Sequence, residues 1–257
     1  MQIKNITIIG CGWLGCILGR GLLEKGFNVS GSARSKDGLN RIIEAGISGF
    51  LLDLDSDFQL PEHILNTSDL VVLALPPQKR SVVAYYGNLL CGVVQKFPEK
   101  TRVILTSSTG IYPKINESFT EYYSFKMSEQ NTSLFQAEKK LQQLLQERLT
   151  ILRLGGLIGP GRHPINSLAG RSIPNDGTGP INLIHSSDVL LAILLIVNEH
   201  IFGKCYNLVF PLVTSKNEYY NRIAMRKGLK SVLFGNEKAL ERKIDGKLIT
   251  KQTLILN

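Results

Sequence analysis

Ile6-Thr7-Ile8-Ile9-Gly10-Cys11-Gly12-Trp13-Leu14-Gly15 decides the fold. Its β-branched opening reads as a buried strand. After the last glycine, apolar side chains fall at Ile17, Leu18 and Leu22, and Gly26 supplies a stop, so the stretch reads as a helix. Three glycines in GxGxxG spacing between strand and helix suit a dinucleotide diphosphate. Gly10 permits the tight turn, Gly12 lets the backbone approach the pyrophosphate, and Gly15 lets helix and strand pack closely. The helix N-terminus offers unpaired N–H groups and the positive end of its dipole to the anion. The spacing alone is weak. Strand, glycine turn, helix and second strand within about thirty residues is specific.

Outward from this unit, strand and helix patterns alternate. Residues 27–33, 49–52, 70–75, 102–106, 149–154 and 205–209 read as strands, and 38–45, 81–97, 133–147 and 187–199 as helices. Alternation of this kind signals a parallel sheet covered on both faces. The run over 70–75 is unbroken apolar, as a doubly covered strand requires, and Pro76-Pro77 ends it. Two stretches break the pattern: 155–180, rich in Gly, Pro and Asn, and everything after Pro211. The expected fold is α/β, a Rossmann-type doubly wound parallel sheet with a small C-terminal substrate lobe. Residues 1–159 form the dinucleotide-binding domain, completed by 181–210; residues 160–180 and 211–257 form a small substrate-binding cap.

The 257 residues, 43% of them hydrophobic, suffice for one large core. The longest apolar run, 189–197, is far shorter than the roughly 20 residues of a membrane span. No charged and then apolar leader opens the chain, so a cytoplasmic location is expected, and no membrane partner. Cys11, Cys16, Cys91 and Cys205 have no metal-like spacing, so no metal is expected; Cys11 and Cys16 read as small packing residues. The formal net charge is +9. Basic residues crowd the chain from Lys216 onward, but Glu218, Glu237, Glu241 and Asp245 interrupt them. The pattern reads as a solvated basic face and argues against nucleic acid as a partner.

An NAD-preferring fold carries Asp or Glu at the end of the second strand, bonded to the ribose 2′-OH. Here that segment is Ser30-Gly31-Ser32-Ala33-Arg34-Ser35-Lys36, with no acid before Asp37. Arg34 offers a planar fork for a 2′-phosphate, and Ser32 and Ser35 can add hydroxyl bonds. NADP is therefore expected in preference to NAD. Leu75 and Pro76, where the fourth strand ends, complete the cofactor-binding set together with Gly10, Gly12, Trp13, Leu14 and Gly15. Trp13 reads as a packing residue between helix and sheet or as a shield for the pyrophosphate. Lys79 and Arg80 read as solvated loop charges.

The chain resembles the extended and atypical short-chain dehydrogenase/reductase superfamily, of the NAD(P)-dependent epimerase/dehydratase type, and within it the YeeZ-like branch. Gly10-Cys11-Gly12-Trp13-Leu14-Gly15 carries the resemblance first. Leu105-Thr106-Ser107-Ser108-Thr109-Gly110-Ile111-Tyr112 is similar to the motif bearing the active-site serine. Residues 152–164, 181–188 and 206–209 are similar to later landmarks in the same order. The resemblance implies an adenine contact at Asp53-Leu54 and assigns Ser108, four positions before Tyr112, to polarise a substrate oxygen.

The resemblance also implies a YxxxK dyad, in which a lysine ammonium brings a phenol into working range for proton transfer. The tyrosine should follow the serine by about 25 residues, near the start of the next helix. Thr132 falls at that position and Gln136 at the lysine position, and neither can substitute chemically. A second YxxxK string, Tyr122 and Lys126, lies in a loop, too early for the pattern. Glu121 reads as a surface carboxylate, and His185 as a hydrogen-bonded structural residue beside Asp188. Arg162 and His163, on a Gly-Pro-Gly loop, are the expected substrate-binding pair. The implied function is an oxidoreductase or isomerase acting on a small polar metabolite. The alternative is a catalytically silent NADP(H)-sensing protein. A small-molecule substrate is the expected partner, and a homo-oligomer is compatible with the chain.

Overall fold

The computed structural model describes residues 2–56, 58–77, 82–211 and 214–250. The first half runs β1 (Asn5–Ile9), α1 (Trp13–Glu24), β2 (Asn28–Ala33), α2 (Lys36–Glu44), β3 (Ser48–Leu51), α3 (Glu62–Thr67), β4 (Leu70–Leu73), α4 (Tyr85–Val94) and β5 (Arg102–Ser108). The second half begins with β6 (Ser118–Phe119), α5 (Ser133–Leu145), β7 (Leu149–Leu154), β8 (Gly156–Ile158), α6 (Ile165–Leu168), β9 (Ser172–Asn175) and β10 (Leu183–His185). It ends with α7 (Ser186–Asn198), β11 (Cys205–Leu208), α8 (Lys216–Arg226), β12 (Leu233–Glu237), β13 (Lys243–Ile244) and α9 (Lys247–Thr250).

Seven strands form one sheet in the order β11-β7-β5-β4-β1-β2-β3, every neighbouring pair parallel. This is a Rossmann-type doubly wound sheet. Strand order reverses between β1 and β4, and a sheet of this kind opens a ligand crevice at such a switch point, outside the carboxyl ends of the strands. Gly10 and Leu75 flank it.

Successive residues of a strand face opposite sides. Ile8 accordingly joins a core with Leu18, Leu22, Ile193 and Ile196, under α1 and α7. Ile9 joins the other core with Leu73, Leu90, Val93 and Leu141, under α4 and α5. A separate cluster of Ile165, Ile181, Leu183, Tyr219, Tyr220, Ala224 and Val232 gives the lobe its own core, and β9 pairs with β12 beside it. The chain then returns to the main body. Lys243–Ile244 pairs with β6, and Ile249 is buried in the α1–α7 core. The described residues after Pro211 are thus divided between the lobe and the main body.

The irregular stretch 155–180 contains β8, α6 and β9, and the short α3 was not anticipated. Such elements span too few residues for periodicity to register. The helix expected over 81–97 is described as Tyr85–Val94; Ser81, like Lys79 and Arg80, lies outside the described residues. All four cysteines are free, and Cys11 is buried with its Sγ 4.0 Å from that of Cys16.

Candidate functional site at the sheet switch point

Gly10 has φ +85°, and a Cβ built on it would lie 2.5 Å from Leu75 Cδ2. Only glycine satisfies both demands, so the turn after β1 closes against the end of β4. A Cβ on Gly15 would meet Ile8 Cγ2 at 3.2 Å, which is the close helix–strand approach its role requires. At Gly12 nothing lies within 4 Å of a built Cβ. Gly12 is the N-cap of α1, and no side chain caps that helix. The amides of its first turn, beginning at Trp13 and Leu14, are left without a side-chain acceptor beside an open face.

Ser32 is buried, and its Oγ accepts the Gly10 N–H at 2.9 Å. It therefore braces the glycine turn and does not reach outward to a 2′-phosphate. Both faces of β2 are covered at this end, and Gly31, Ser32 and Ala33 are all buried. Ser35 caps α2, accepting Gly38 N–H at 3.2 Å. Arg34 is exposed just ahead of it. Sequence reasoning missed Arg41, whose Nη2 lies 3.8 Å from a Cβ built on Gly38, in the first turn of α2. Helical side chains lean toward the N-terminus, which brings this guanidinium back over the Ser35 end. Asp53 is exposed and accepts the Asp55 N–H at 3.1 Å, while Leu54 packs on the α4–α5 core. Pro76 is exposed, next to Leu75, whose carbonyl accepts the Tyr86 hydroxyl at 2.7 Å.

Trp13 packs on a loop, not between helix and sheet. Its Nε1 donates to Pro160 O at 3.0 Å, and the Arg162 guanidinium lies 5.0 Å from its ring centroid. The Gly159–Arg162 turn closes on itself through two backbone bonds of 2.9 and 3.0 Å. A Cβ on Gly159 would come within 3.1 Å of Trp13 and 2.5 Å of Ser186 Oγ. Arg162 is exposed and held over the Trp13 ring. His163 turns the other way. Its Nδ1 accepts Ile165 N–H at 3.0 Å, its Nε2 lies 3.0 Å from Tyr219 Oη, and its ring stacks on Tyr219 at 5.8 Å. Burial, aided by Lys227, pushes its pKa below the usual histidine range. A neutral ring with both nitrogens engaged in the lobe does not hold an anion, so His163 organises the lobe and leaves Arg162 alone at the crevice.

Ser108 ends β5 and is half-buried; its Oγ accepts Gly110 N–H at 3.0 Å, so its own proton remains available to donate. Behind it runs a buried polar network that sequence reasoning missed. Ser107 Oγ donates to Glu138 at 2.6 Å, and Glu138 pairs with Arg153 at 2.7 Å. Arg153 Nη1 donates to Tyr112 Oη at 2.8 Å, and that hydroxyl faces Asn207 Oδ1 at 2.8 Å and Thr120 O at 3.0 Å. Burial drives the Tyr112 phenol up to about 12, despite Arg153 and two hydrogen bonds pulling it down. The available signal was Arg153 itself, a charge inside the apolar run Leu149–Leu154. Glu121 is not a surface carboxylate. It is half-buried, accepts the Asn207 N–H at 2.9 Å, and has a pKa raised chiefly by burial.

Thr132 is the N-cap of α5, accepting Phe135 N–H at 3.2 Å, and Gln136 donates to Gln130 O at 3.0 Å. Tyr122 is 78% exposed, and Lys126 stands exposed in the following turn, not one helical turn along a shared face. His185 is the N-cap of α7, accepting Ser187 N–H, with Asp188 buried in the first turn. This matches its structural reading. Among the described residues no helix is long and apolar enough to cross a membrane.

No model of a known protein family matches the chain. Protein YeeZ of Escherichia coli strain K12 is 30% identical over 244 residues, spanning 91% of this chain and 88% of that protein. Two solved structures share the fold. One is dTDP-glucose 4,6-dehydratase from Bacillus anthracis in complex with NAD, with TM-score 0.73 and 16% identity over 98% of this chain and 91% of that one. The other is Gre2 from Candida albicans in complex with NADPH, with TM-score 0.73 and 15% identity over 98% and 94%.

Proposed function

The chain belongs to the family of Protein YeeZ, and from that membership we propose that it is a member of the extended short-chain dehydrogenase/reductase superfamily that binds NADP(H) at the switch point and acts as an oxidoreductase or isomerase on a small polar metabolite. One observation carries the proposal: an uncapped helix N-terminus opens beside Gly12, where no atom meets a built Cβ. The residues present therefore fit a diphosphate. The amides of Trp13, Leu14 and Gly15 bind it, and Arg162, stacked on the Trp13 ring, adds a positive charge nearby. Arg34, with Arg41 leaning back beside Ser35, receives a 2′-phosphate, while Asp53, Leu54, Leu75 and Pro76 border the rest of the cofactor. The related fold in Gre2 holds NADPH and that in the dehydratase holds NAD.

The nicotinamide, when bound, supplies hydride exchange. The protein's own part is to hold the substrate oxygen and exclude water. Ser108 Oγ accepts from Gly110 N–H and donates its proton to that oxygen, where charge develops. The lobe of residues 160–180 and 214–240 covers the substrate. With Thr132 and Gln136 committed to the end and first turns of α5, proton transfer falls to water, to the substrate, or to a group other than the usual dyad. Tyr122 and Lys126 serve only if their loop moves.

The unfilled dyad positions favour a second reading, a catalytically silent sensor of NADP(H) status. The two differ in one experiment. NADPH binding is measured by fluorescence titration, and stopped-flow oxidation is then followed across a panel of carbonyl compounds. Turnover abolished by Ser108→Ala supports the enzyme. Tight binding with no turnover anywhere in the panel supports the sensor. Absence of NADPH and NADH binding at millimolar concentration removes both.

A further inference from the structure

The seam between the lobe and the end of β5 holds two cations with no carboxylate partner among the described residues. Arg242, just ahead of β13, reaches back to the serine segment: its Nε donates to Pro113 O at 3.0 Å and its Nη2 to the carbonyl of Thr109, the residue after Ser108. Nη2 also faces Tyr112 O at 3.4 Å, and the guanidinium lies 5.9 Å from the Phe119 ring centroid. Nη1 has no acceptor among the described residues. Lys216 opens α8 on the other side of the seam. Its backbone N–H bonds Gly179 O at 3.1 Å, and its Nζ lies 3.7 Å from a Cβ built on Gly179. Leu240 O lies 2.9 Å from the same point, so the ammonium sits beside the segment that carries Arg242.

Both side chains are half-buried, and among the described residues no carboxylate comes within 4.0 Å of either. The nearby acids are engaged elsewhere: Asp176 accepts from Thr178 and from the Ala239 N–H. Glu241 is exposed, Asp245 engages the Lys247 N–H, and Glu218 engages Thr214. Arg153, by contrast, has its own carboxylate in Glu138. Burial lowers the affinity of Lys216 for its proton, and the Arg242 charge lowers it further. Like charges on neighbouring segments, each partly withdrawn from water, cost stability unless an anion completes them.

We propose that Lys216 and Arg242 hold an anionic group of the substrate whose reacting oxygen faces Ser108, so that the substrate is a carboxylate or a phosphate ester. The inference rests on the reading of Ser108 as the substrate-polarising group. It shifts anion recognition away from the Arg162–His163 loop and onto the seam between lobe and sheet.

Inorganic phosphate and oxalate, titrated separately into the NADP⁺-loaded protein by calorimetry, test it. One ion binds per chain, and the tighter of the two names the anion class. Lys216→Gln weakens it about tenfold or more, as loss of a charged hydrogen bond does, and Lys216→Arg restores most of the affinity. Lys227→Gln, an exposed charge on the same lobe, leaves it unchanged. Arg242→Gln also removes an anchor of the Thr109–Pro113 segment, so Lys216→Gln is the decisive variant. Equal affinity in Lys216→Gln and wild type overturns the proposal, as does the absence of any binding at millimolar concentration. Failure of the cofactor reading is seen separately, in the NADPH titration that precedes the anion; the Lys216→Gln comparison is then made on the unloaded chain.

Discussion

Arg153 and Glu138 meet as a forked pair inside the molecule, with Nη2 and Nε donating to one carboxylate oxygen at 2.7 and 3.1 Å. Their side chains are 9% and 5% exposed, so each charge depends on the other. They tie β7 to α5, and through Ser107 and Tyr112 they fix both flanks of Ser108. Removing one partner strands the other charge. Glu138→Ala should destabilise the protein by about 3–5 kcal/mol, whereas Glu138→Leu combined with Arg153→Met should cost markedly less. Urea unfolding of the three chains measures this, and a Glu138→Ala loss below about 1 kcal/mol would contradict it.

Gly10 and Gly12 should separate folding from binding. Alanine at 10 demands φ +85° and pushes a methyl into Leu75, so Gly10→Ala should lower stability by more than about 1 kcal/mol. Alanine at 12 meets nothing within 4 Å and should leave the unfolding midpoint nearly unchanged. Its methyl would stand where the diphosphate approaches, so NADPH affinity should fall at least about tenfold. A Gly12→Ala chain that binds NADPH normally would argue against this crevice as the cofactor site.

Arg34 should decide between the two nicotinamide cofactors. A guanidinium on a phosphate is a charge-assisted bond, and its loss is worth about 1.5–3 kcal/mol, or roughly ten- to a hundredfold. Arg34→Asp should weaken NADPH by that factor and improve NADH, since an acid there can bond the ribose 2′-OH. Unchanged NADPH affinity in the fluorescence titration would shift the assignment to Arg41.

The sheet was legible because β1, β4, β5 and β7 at its centre carry runs of β-branched or apolar residues, and because Gly10-Cys11-Gly12-Trp13-Leu14-Gly15 tied the first unit to a ligand. The lobe was legible only as a break in alternation. Its strands β9 and β12 are 4 and 5 residues long and pair across 61 positions, Ser172 with Leu233. Nothing in local sequence announces such a pairing. Side-chain direction was the other gap. Ser32, Trp13 and His163 have chemistry suited to a ligand, yet each spends it on the protein's own backbone or rings. Conversely, Glu121 looked like a loop carboxylate because its acceptor role depends on Asn207, 86 residues away.

His163 should make the lobe sensitive to mild acid. Its Nδ1 accepts from Ile165 N–H, which requires that nitrogen to be unprotonated, and burial lowers its pKa from the ordinary 6.5. The unfolded chain therefore binds the proton more readily than the folded one between the lowered value and 6.5. Stability from this group is fully present above pH 6.5 and is lost as the pH falls through the folded-state value. Wild type should lose more stability between about pH 7.5 and pH 5 than His163→Gln, in which this position no longer titrates. Thermal midpoints of both chains across that range measure the difference. Carboxylates elsewhere titrate alike in the two, so parallel profiles would show that the ring is not held neutral against Tyr219.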